Sequence, residues 1–519
     1  MSTGSWLQRR YKALASTMNP PVFFGAGAVV IAFCIFGGGF TGYAETLFSS
    51  LQAGIARYFG WYYVLLVTAI LVFSLWLGLS RVGKIRIGGA GAKPEFSRLS
   101  WLAMLFTAGM GIGLVFWSVA EPLTHFDAPR VADSQSEAAA REAMRLTFFH
   151  WGLHAWAIYS MLAVAVAYFH FNKGLPLAPR SILYPFLGER IHGWAGHIVD
   201  ILCTVGTLLG VATSLGLGAQ QINAGLKALA GISLSVGTQL TLIAIITLVA
   251  TVSVVAGVKN GIRQLSRLNA VLALVLVGFV LLAGPFLYML RLFVTTLGEY
   301  LQELPAMSLY VNTDPQDTWQ ADWTLFYWGW WISWSPFVAI FVARISTGRT
   351  LRDFVMSVLI VPVLATMIWL SIFGGAALHL ESREGAALVS EAISTPATAL
   401  HNLLEHFPLT GLMQAVATVL ITIFFITSSD SGSLVDDMVT SGGHLHPPKW
   451  QRIFWATSEG VAAMTLLVVG GLQAMRNASI SLGLPMSLVL IVAMVSLVRA
   501  LPQDPQIRRP RKGGSGPAA

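Results

Sequence analysis

The apolar residues of this chain come in runs of about twenty, the length a helix needs to cross a hydrocarbon core about 30 Å thick. Such runs are expected as spans near residues 22–40, 61–79, 102–119, 147–169, 197–217, 238–258, 268–293, 323–344, 355–378, 409–427, 453–471 and 480–500. No water satisfies backbone N–H and C=O groups inside a bilayer, so these runs must be helices. Only 11% of the 519 residues are charged, against roughly a quarter in soluble domains. The class is therefore all-α integral membrane, with twelve spans and no room for a soluble domain.

The net charge of +8 does not indicate nucleic-acid binding, because the basic residues do not form a patch. Lys and Arg concentrate in segments 1–20, 80–98, 170–196, 259–267, 344–352 and 499–512. The alternate loops carry acids: Glu121, Asp127, Asp133 and Glu137 in one, then Glu299, Glu303, Asp314, Asp317 and Asp322 in another. That alternation places both termini in the cytoplasm and suits a bacterial-type inner membrane. The first run lacks a small-residue cleavage site and is read as an uncleaved helix. Residues 294–322 include the amphipathic stretch LGEYLQELPAMSLY, and the basic tail RRPRKGGSGPAA suits a solvated segment at an anionic lipid surface. Cys34 and Cys203 fall in apolar runs without metal or redox spacing.

Three spans depart from plain lipid-facing helices. FTAGMGIGLVFWSVAEP places Gly109, Gly111 and Gly113 in the third. Alternate glycines favour an opened backbone whose amides and carbonyls can bind a carboxylate and a cation; Gly109 and Gly113 also have the GxxxG spacing of a packing face, and both readings stand. FYWGWWISWSPFVAIFVARIS in the eighth span sets Trp330 and Trp334, and Tyr327 and Trp331, four residues apart, forming one aromatic stripe. FFHWGLHAWAIYSM in the fourth adds Trp151, Trp156 and Tyr159 within an arc of about 140° on an uninterrupted helix.

Two aromatic stripes are what a cage for a quaternary ammonium requires. A trimethylammonium group donates no hydrogen bond, so ring quadrupoles and dispersion must hold it, at up to about 2 kcal/mol per desolvated ring. Neither stripe carries Asp or Glu within residues 147–169 or 323–344. A zwitterion, whose carboxylate the glycine segment can take, therefore fits better than a bare cation. His150 and His154 are four apart, a spacing open to a metal but more often spent on hydrogen bonding. An integral-membrane enzyme would need a nucleophile, metal cluster or acid–base pair at depth, and no HExxH or CxxC motif occurs.

GMGIGLVFW followed by AEP, HWGLHAWAIY, WGWWISWSPFVAIFVARISTGRT and FFITSSDSGS together resemble the betaine/choline/carnitine transporter family, from about residue 22 to 500. The resemblance implies a LeuT-like inverted repeat of five plus five helices preceded by two extra ones. The transporter domain would cover 21–500, with repeats at about 99–295 and 322–500, a tail at 1–20 and another at 501–519; family members are commonly homotrimers. Carried over by position, the aromatic box falls on Trp151, Trp156, Tyr159 and Trp331, with Trp330 and Trp334 lining the pathway and Gly109, Met110, Gly111 and Gly113 near the substrate carboxylate. Sodium would lie between Thr107, Met110, Phe424, Thr427 and Ser428. A second sodium site matches Thr207 and Phe337, but Val211 stands where another threonine would help. Arg344 and Asp430 would gate the inner end or form a structural charge pair. Gly113, where proton-coupled choline carriers tend to have an acid, and a fifth span without a basic residue imply sodium symport of a glycine betaine-type zwitterion. The alternative is a choline or carnitine carrier, proton-coupled or exchanging. A neutral zwitterion gains nothing from the membrane potential alone, whereas each co-transported charge contributes about 2.3 kcal/mol per 100 mV.

Overall fold

A computed structural model describes residues 17–109, 111–256, 259–314, 316–444 and 447–507, and the side chains of these except at 106–109, 253–256 and 259–263. In chain order its main helices are α1 (Pro20–Gly39), α2 (Thr41–Leu79), α3 (Arg98–Gly109), α4 (Ile112–Asp127), α5 (Glu137–Trp151), α6 (Leu153–Ala167) and α7 (Trp194–Ala230). Then follow α8 (Val236–Ala256), α9 (Lys259–Ala283), α10 (Phe286–Ser308), α11 (Phe326–Arg344), α12 (Leu351–His379), α13 (Thr410–Thr440) and α14 (Lys449–Ala500). Among the described residues the only β pairing is one isolated bridge, Arg86 with Thr350.

Nine helices among the described residues are long and apolar enough to cross a membrane, against twelve spans expected. Three places account for the difference. The third expected span is broken between α3 and α4. The sixth lies on α8, whose 21 residues run apolar from Val236 to Ala256, though only Val236–Val252 of it has described side chains. The eleventh and twelfth run together in α14, whose 52 residues would extend about 78 Å at 1.5 Å per residue, more than twice the hydrocarbon thickness. Non-helical backbone at Gly470 (φ 174°, ψ 18°) and Gly471 (φ +56°, ψ −129°) divides it; the left-handed φ at Gly471 is one that only glycine adopts at little cost.

The seventh expected span ends earlier than its hydropathy implies. Pro285 lacks an N–H to continue the ladder, so α9 stops at Ala283 and the chain restarts as α10. The amphipathic stretch thus belongs to a longer helix bound to α5, where Glu299 lies 3.6 Å from Arg141 and 3.8 Å from Arg145. At the centre, α6 is buried almost throughout its length, and α11 and α12 pack beside it. By contrast α1, α8 and α9 present exposed apolar side chains such as Ile35, Leu248 and Leu274. In water such a surface would be unfavourable; in a bilayer it is the solvent-facing one.

Candidate functional site

Two helix interruptions shape the site. Gly111 is extended (φ −151°, ψ 179°) between α3 and α4. Gly152 (φ −92°, ψ −136°) separates α5 from α6, where the sequence pattern implies one unbroken helix. A Cβ at position 152 would lie 2.4 Å from the Phe148 carbonyl oxygen and 2.8 Å from Tyr300 Oη, so the close approach requires glycine. The released Leu153 amide donates to Tyr300 Oη at 3.1 Å, a repair from a neighbouring helix of the kind interrupted membrane helices need. Trp151 thus closes one helix while Trp156 and Tyr159 stand on the next.

Between these breaks and α11 lies a cavity lined by Gly111, Gly113, Leu114, Trp151, Ala155, Trp156, Tyr159, Trp330, Trp331, Trp334 and Thr366. The four expected box residues all face it. Their rings meet edge to face: Trp151 and Trp331 at 5.0 Å and 67°, Trp156 and Tyr159 at 5.5 Å and 84°, Tyr159 and Trp331 at 6.2 Å and 75°. Trp330 stacks on Trp331 at 4.7 Å. A Cβ on Gly113 would fall 2.4 Å from Trp330 Cη2, so that glycine is what lets the ring lie against α4. Ala155, Leu114 and Thr366 join the lining without having been singled out in the sequence. Met110 lies outside the described residues, as do the side-chain surroundings of Thr107 and Gly109.

An acid does reach the box, from a third helix. Glu121 is fully buried on α4, not in an outer loop as its place in the charge pattern implies. Its Oε2 accepts from Trp151 Nε1 at 2.8 Å and from the Tyr327 hydroxyl at 2.5 Å. Its Oε1 is 2.6 Å from His150 Nδ1, whose Nε2 lies 3.1 Å from Thr324 Oγ1. Trp331 Nε1 donates to the His150 carbonyl at 3.0 Å. Two box indoles are therefore fixed in the plane of one buried network, and a donor satisfied this way holds its ring more firmly than packing alone. His154 points elsewhere, to Ser308 Oγ at 3.0 Å. Ligand atoms of Glu121, His125 and His150 lie within 4.8 Å of one another, close enough for a metal ion; here the closest pair is joined by the His150–Glu121 hydrogen bond.

A second, wider cavity shares Gly111 and Trp334 with the first and continues along Phe337, Phe341, Phe424, Thr427, Ser428 and Ser431. Three expected sodium residues, Phe424, Thr427 and Ser428, lie on its wall. Thr427 Oγ1 donates to the Ile423 carbonyl at 2.9 Å, which leaves oxygen lone pairs for a hard cation. Phe337 lines the same cavity and stacks on Trp334 at 5.5 Å and 7°. Thr207 is buried on α7, between Gly206 and Gly210, which abut Ser333 and Trp334 of α11. Arg344 and Asp430 are not brought together: Arg344 is exposed, and Asp430 Oδ1 pairs with Arg452 Nη2 at 2.9 Å.

A multi-pass helical membrane protein with an aromatic cavity at its helix breaks, beside a wider vestibule that shares Gly111 and Trp334 with it, is built as a small-solute transporter. Residues 21–506 match the betaine/carnitine/choline family transporter model. An uncharacterized transporter of Mycobacterium tuberculosis is 46% identical over 495 residues, covering 94% of this chain and 83% of that protein. Glycine betaine transporter 1 of Vibrio parahaemolyticus is 44% identical over 471 residues, covering 89% and 90%. The high-affinity choline transport protein of Escherichia coli K12 is 40% identical over 493 residues, covering 93% and 72%. The chain belongs to the betaine/carnitine/choline transporter family. It is a transporter and not an enzyme.

Proposed function

We propose that this protein imports a glycine betaine-type zwitterion by sodium symport. The observation that carries the reading is the box itself, in which Trp151, Trp156, Tyr159 and Trp331 face one cavity that a trimethylammonium group can occupy. At up to about 2 kcal/mol per desolvated ring, several rings approach the roughly 8 kcal/mol of micromolar binding. The extended Gly111 beside it offers backbone amides to a carboxylate, as opened membrane helices do. The vestibule hydroxyls of Thr427 and Ser428 support sodium as co-substrate, with Thr107, Met110 and Phe424 completing that site and Thr207 and Phe337 marking a second. Twelve spans follow if the broken third is counted as one crossing, α8 as the sixth and the divided α14 as two. Both termini would then be cytoplasmic in an inner membrane, around a LeuT-like pair of five-helix repeats, in a homotrimer with surrounding anionic lipids.

One observation favours a second substrate reading. Glu121 places a carboxylate directly behind one ring of the box, Trp151, and such a charge improves the site for a cation such as choline.

The deciding experiment is uptake of radiolabelled glycine betaine and choline into proteoliposomes under an inward sodium gradient, repeated with potassium, with W331A in parallel. Sodium-driven betaine accumulation lost in the variant supports the reading. Choline accumulation without a sodium requirement would replace it with the second.

A further inference from the structure

The inner halves of α13 and α14 bury carboxylates for which neither the box nor the vestibule accounts. Asp436 and Glu459 are both 0% exposed, and Asp437 is 1%. Neither Asp436 oxygen has a hydrogen-bond partner among the described residues, and neither has Glu459 Oε1. Glu459 Oε2 accepts from Ser429 Oγ at 3.0 Å, while Oε1 lies against Gly432, where a Cβ would meet it at 2.8 Å and the Val211 methyl at 2.9 Å. Ser429, Gly432 and Asp436 follow one another at three- and four-residue spacing, so one face of α13 meets Glu459.

The charges acting on this pair are few. Asp430 and Asp437 of α13 add like charge, and Arg452 of α14 opposes it. Arg452 is already held by Asp430 at 2.9 Å. The helices α1, α7 and α8 pack around α13 and α14; α1 and α8 carry no charged residue, and α7 carries none between Asp200 and Lys227, though Cys203 is buried there. Arg267 of α9 is exposed, on the helix that borders the vestibule face of α13. Two buried carboxylates that share no free cation among the described residues cannot both be ionised at tolerable cost. Sodium would need several oxygen ligands, whereas Glu459 Oε1 lies against Gly432 with no hydrogen-bond partner among the described residues. A proton needs no such shell.

We propose that Asp436 and Glu459 form a proton-binding site whose occupancy is linked to solute binding. The link is α13, which presents Phe424, Thr427, Ser428 and Ser431 to the vestibule and a different face to the acids. With the proton bound, α13 packs on α14 as described. When the O–H bond breaks, the proton passes to water at the inner end, past Arg452 and Asp430, whose side chains are 23% and 9% exposed. The carboxylate left behind loosens that packing and shifts the vestibule wall. By reciprocity, solute binding must then exchange protons, and pH must alter solute affinity.

The inference takes from the proposed function only that glycine betaine binds, and the test separates the two. Glycine betaine is titrated into the purified full-length protein in weakly buffered detergent with a pH-indicating dye, at fixed sodium, and its Kd is measured across pH. Proton exchange on binding, with a Kd change of 5-fold or more at typical coupling strengths, is expected for the unmodified protein. In E459Q the solute should still bind, with the proton exchange and pH dependence lost; D436N serves as the second variant. Binding without proton exchange in the unmodified protein, or full pH dependence in both variants, would overturn the inference and leave the transport reading intact. Absence of any glycine betaine binding would overturn that reading instead.

Discussion

Trp151 Nε1 donates to Glu121 Oε2 at 2.8 Å, across thirty residues of sequence. The carboxylate thereby holds an indole that faces the aromatic cavity while remaining outside that cavity's lining. The same oxygen takes the Tyr327 hydroxyl, and the other pairs with His150, so one carboxylate positions three rings; on the proposed function it would act on the solute through them.

Glu121→Gln keeps the volume and removes the charge. Its amide cannot accept from three donors, and a buried hydrogen bond to a charged group contributes about 1.5–3 kcal/mol. Solute affinity should fall on the order of tenfold to a hundredfold, read as quenching of intrinsic tryptophan fluorescence on titration. An unchanged Kd would show that the rings hold their positions without the acid.

Within the box the two ends of Tyr159 should behave differently. Its ring meets Trp156 and Trp331, but its hydroxyl has no hydrogen-bond partner among the described residues. Tyr159→Phe should leave Kd within about twofold, whereas Trp331→Ala should raise it by roughly thirtyfold, the equivalent of about 2 kcal/mol of cation–π contact. A large loss in the phenylalanine variant would place the hydroxyl on the substrate.

The aromatic residues were legible because Trp and Tyr at helical spacing inside apolar runs stand out against Leu and Val. The Glu121 network was not, since its contacts join positions 30 and 206 residues apart, and an acid ending an apolar run looks like a loop residue. The break at Gly152 was equally silent: one glycine in a long apolar helix is tolerated, and only Tyr300, arriving from α10, makes the interruption stable. Pro285 could have signalled the end of α9, but the apolar residues beyond it masked the stop. The pairing of Asp430 with Arg452 depends on how α13 meets α14, which neither helix encodes alone.

Gly152→Ala should be costly out of proportion to its size. The added methyl would meet Phe148 O and Tyr300 Oη at 2.4 and 2.8 Å, and backbone must move to admit it. Overpacking of this kind costs about 1–3 kcal/mol, visible as a lowered melting temperature in detergent. Because Trp151 adjoins the break, solute affinity should fall as well. Tyr300→Phe, which only leaves the Leu153 amide without its acceptor, should lower stability by about 1–3 kcal/mol. A fully stable, fully active Gly152→Ala variant would mean that α5 and α6 tolerate one continuous helix.

The wider cavity carries the last prediction. Its wall includes Phe341 and Ser431, three residues from the end of α11 and nine from the end of α13; the Lys/Arg pattern assigns the first end to the cytoplasm, and the order of twelve spans would put the second on the same side. Cysteines at these two positions should react with a charged, membrane-impermeant thiol reagent supplied from the cytoplasmic side. A cysteine at Thr366, on the box, should react at least tenfold more slowly, because Trp334 and Gly111 separate the two spaces. The native thiols need not obscure this, since Cys203 is buried and Cys34 half-buried, and a variant lacking both supplies the background. Bound solute should slow the Thr366→Cys reaction further while leaving the Ser431→Cys rate little changed. Faster labelling at all three positions from the opposite side would reverse the orientation inferred from Lys and Arg, and with it the direction in which the box empties.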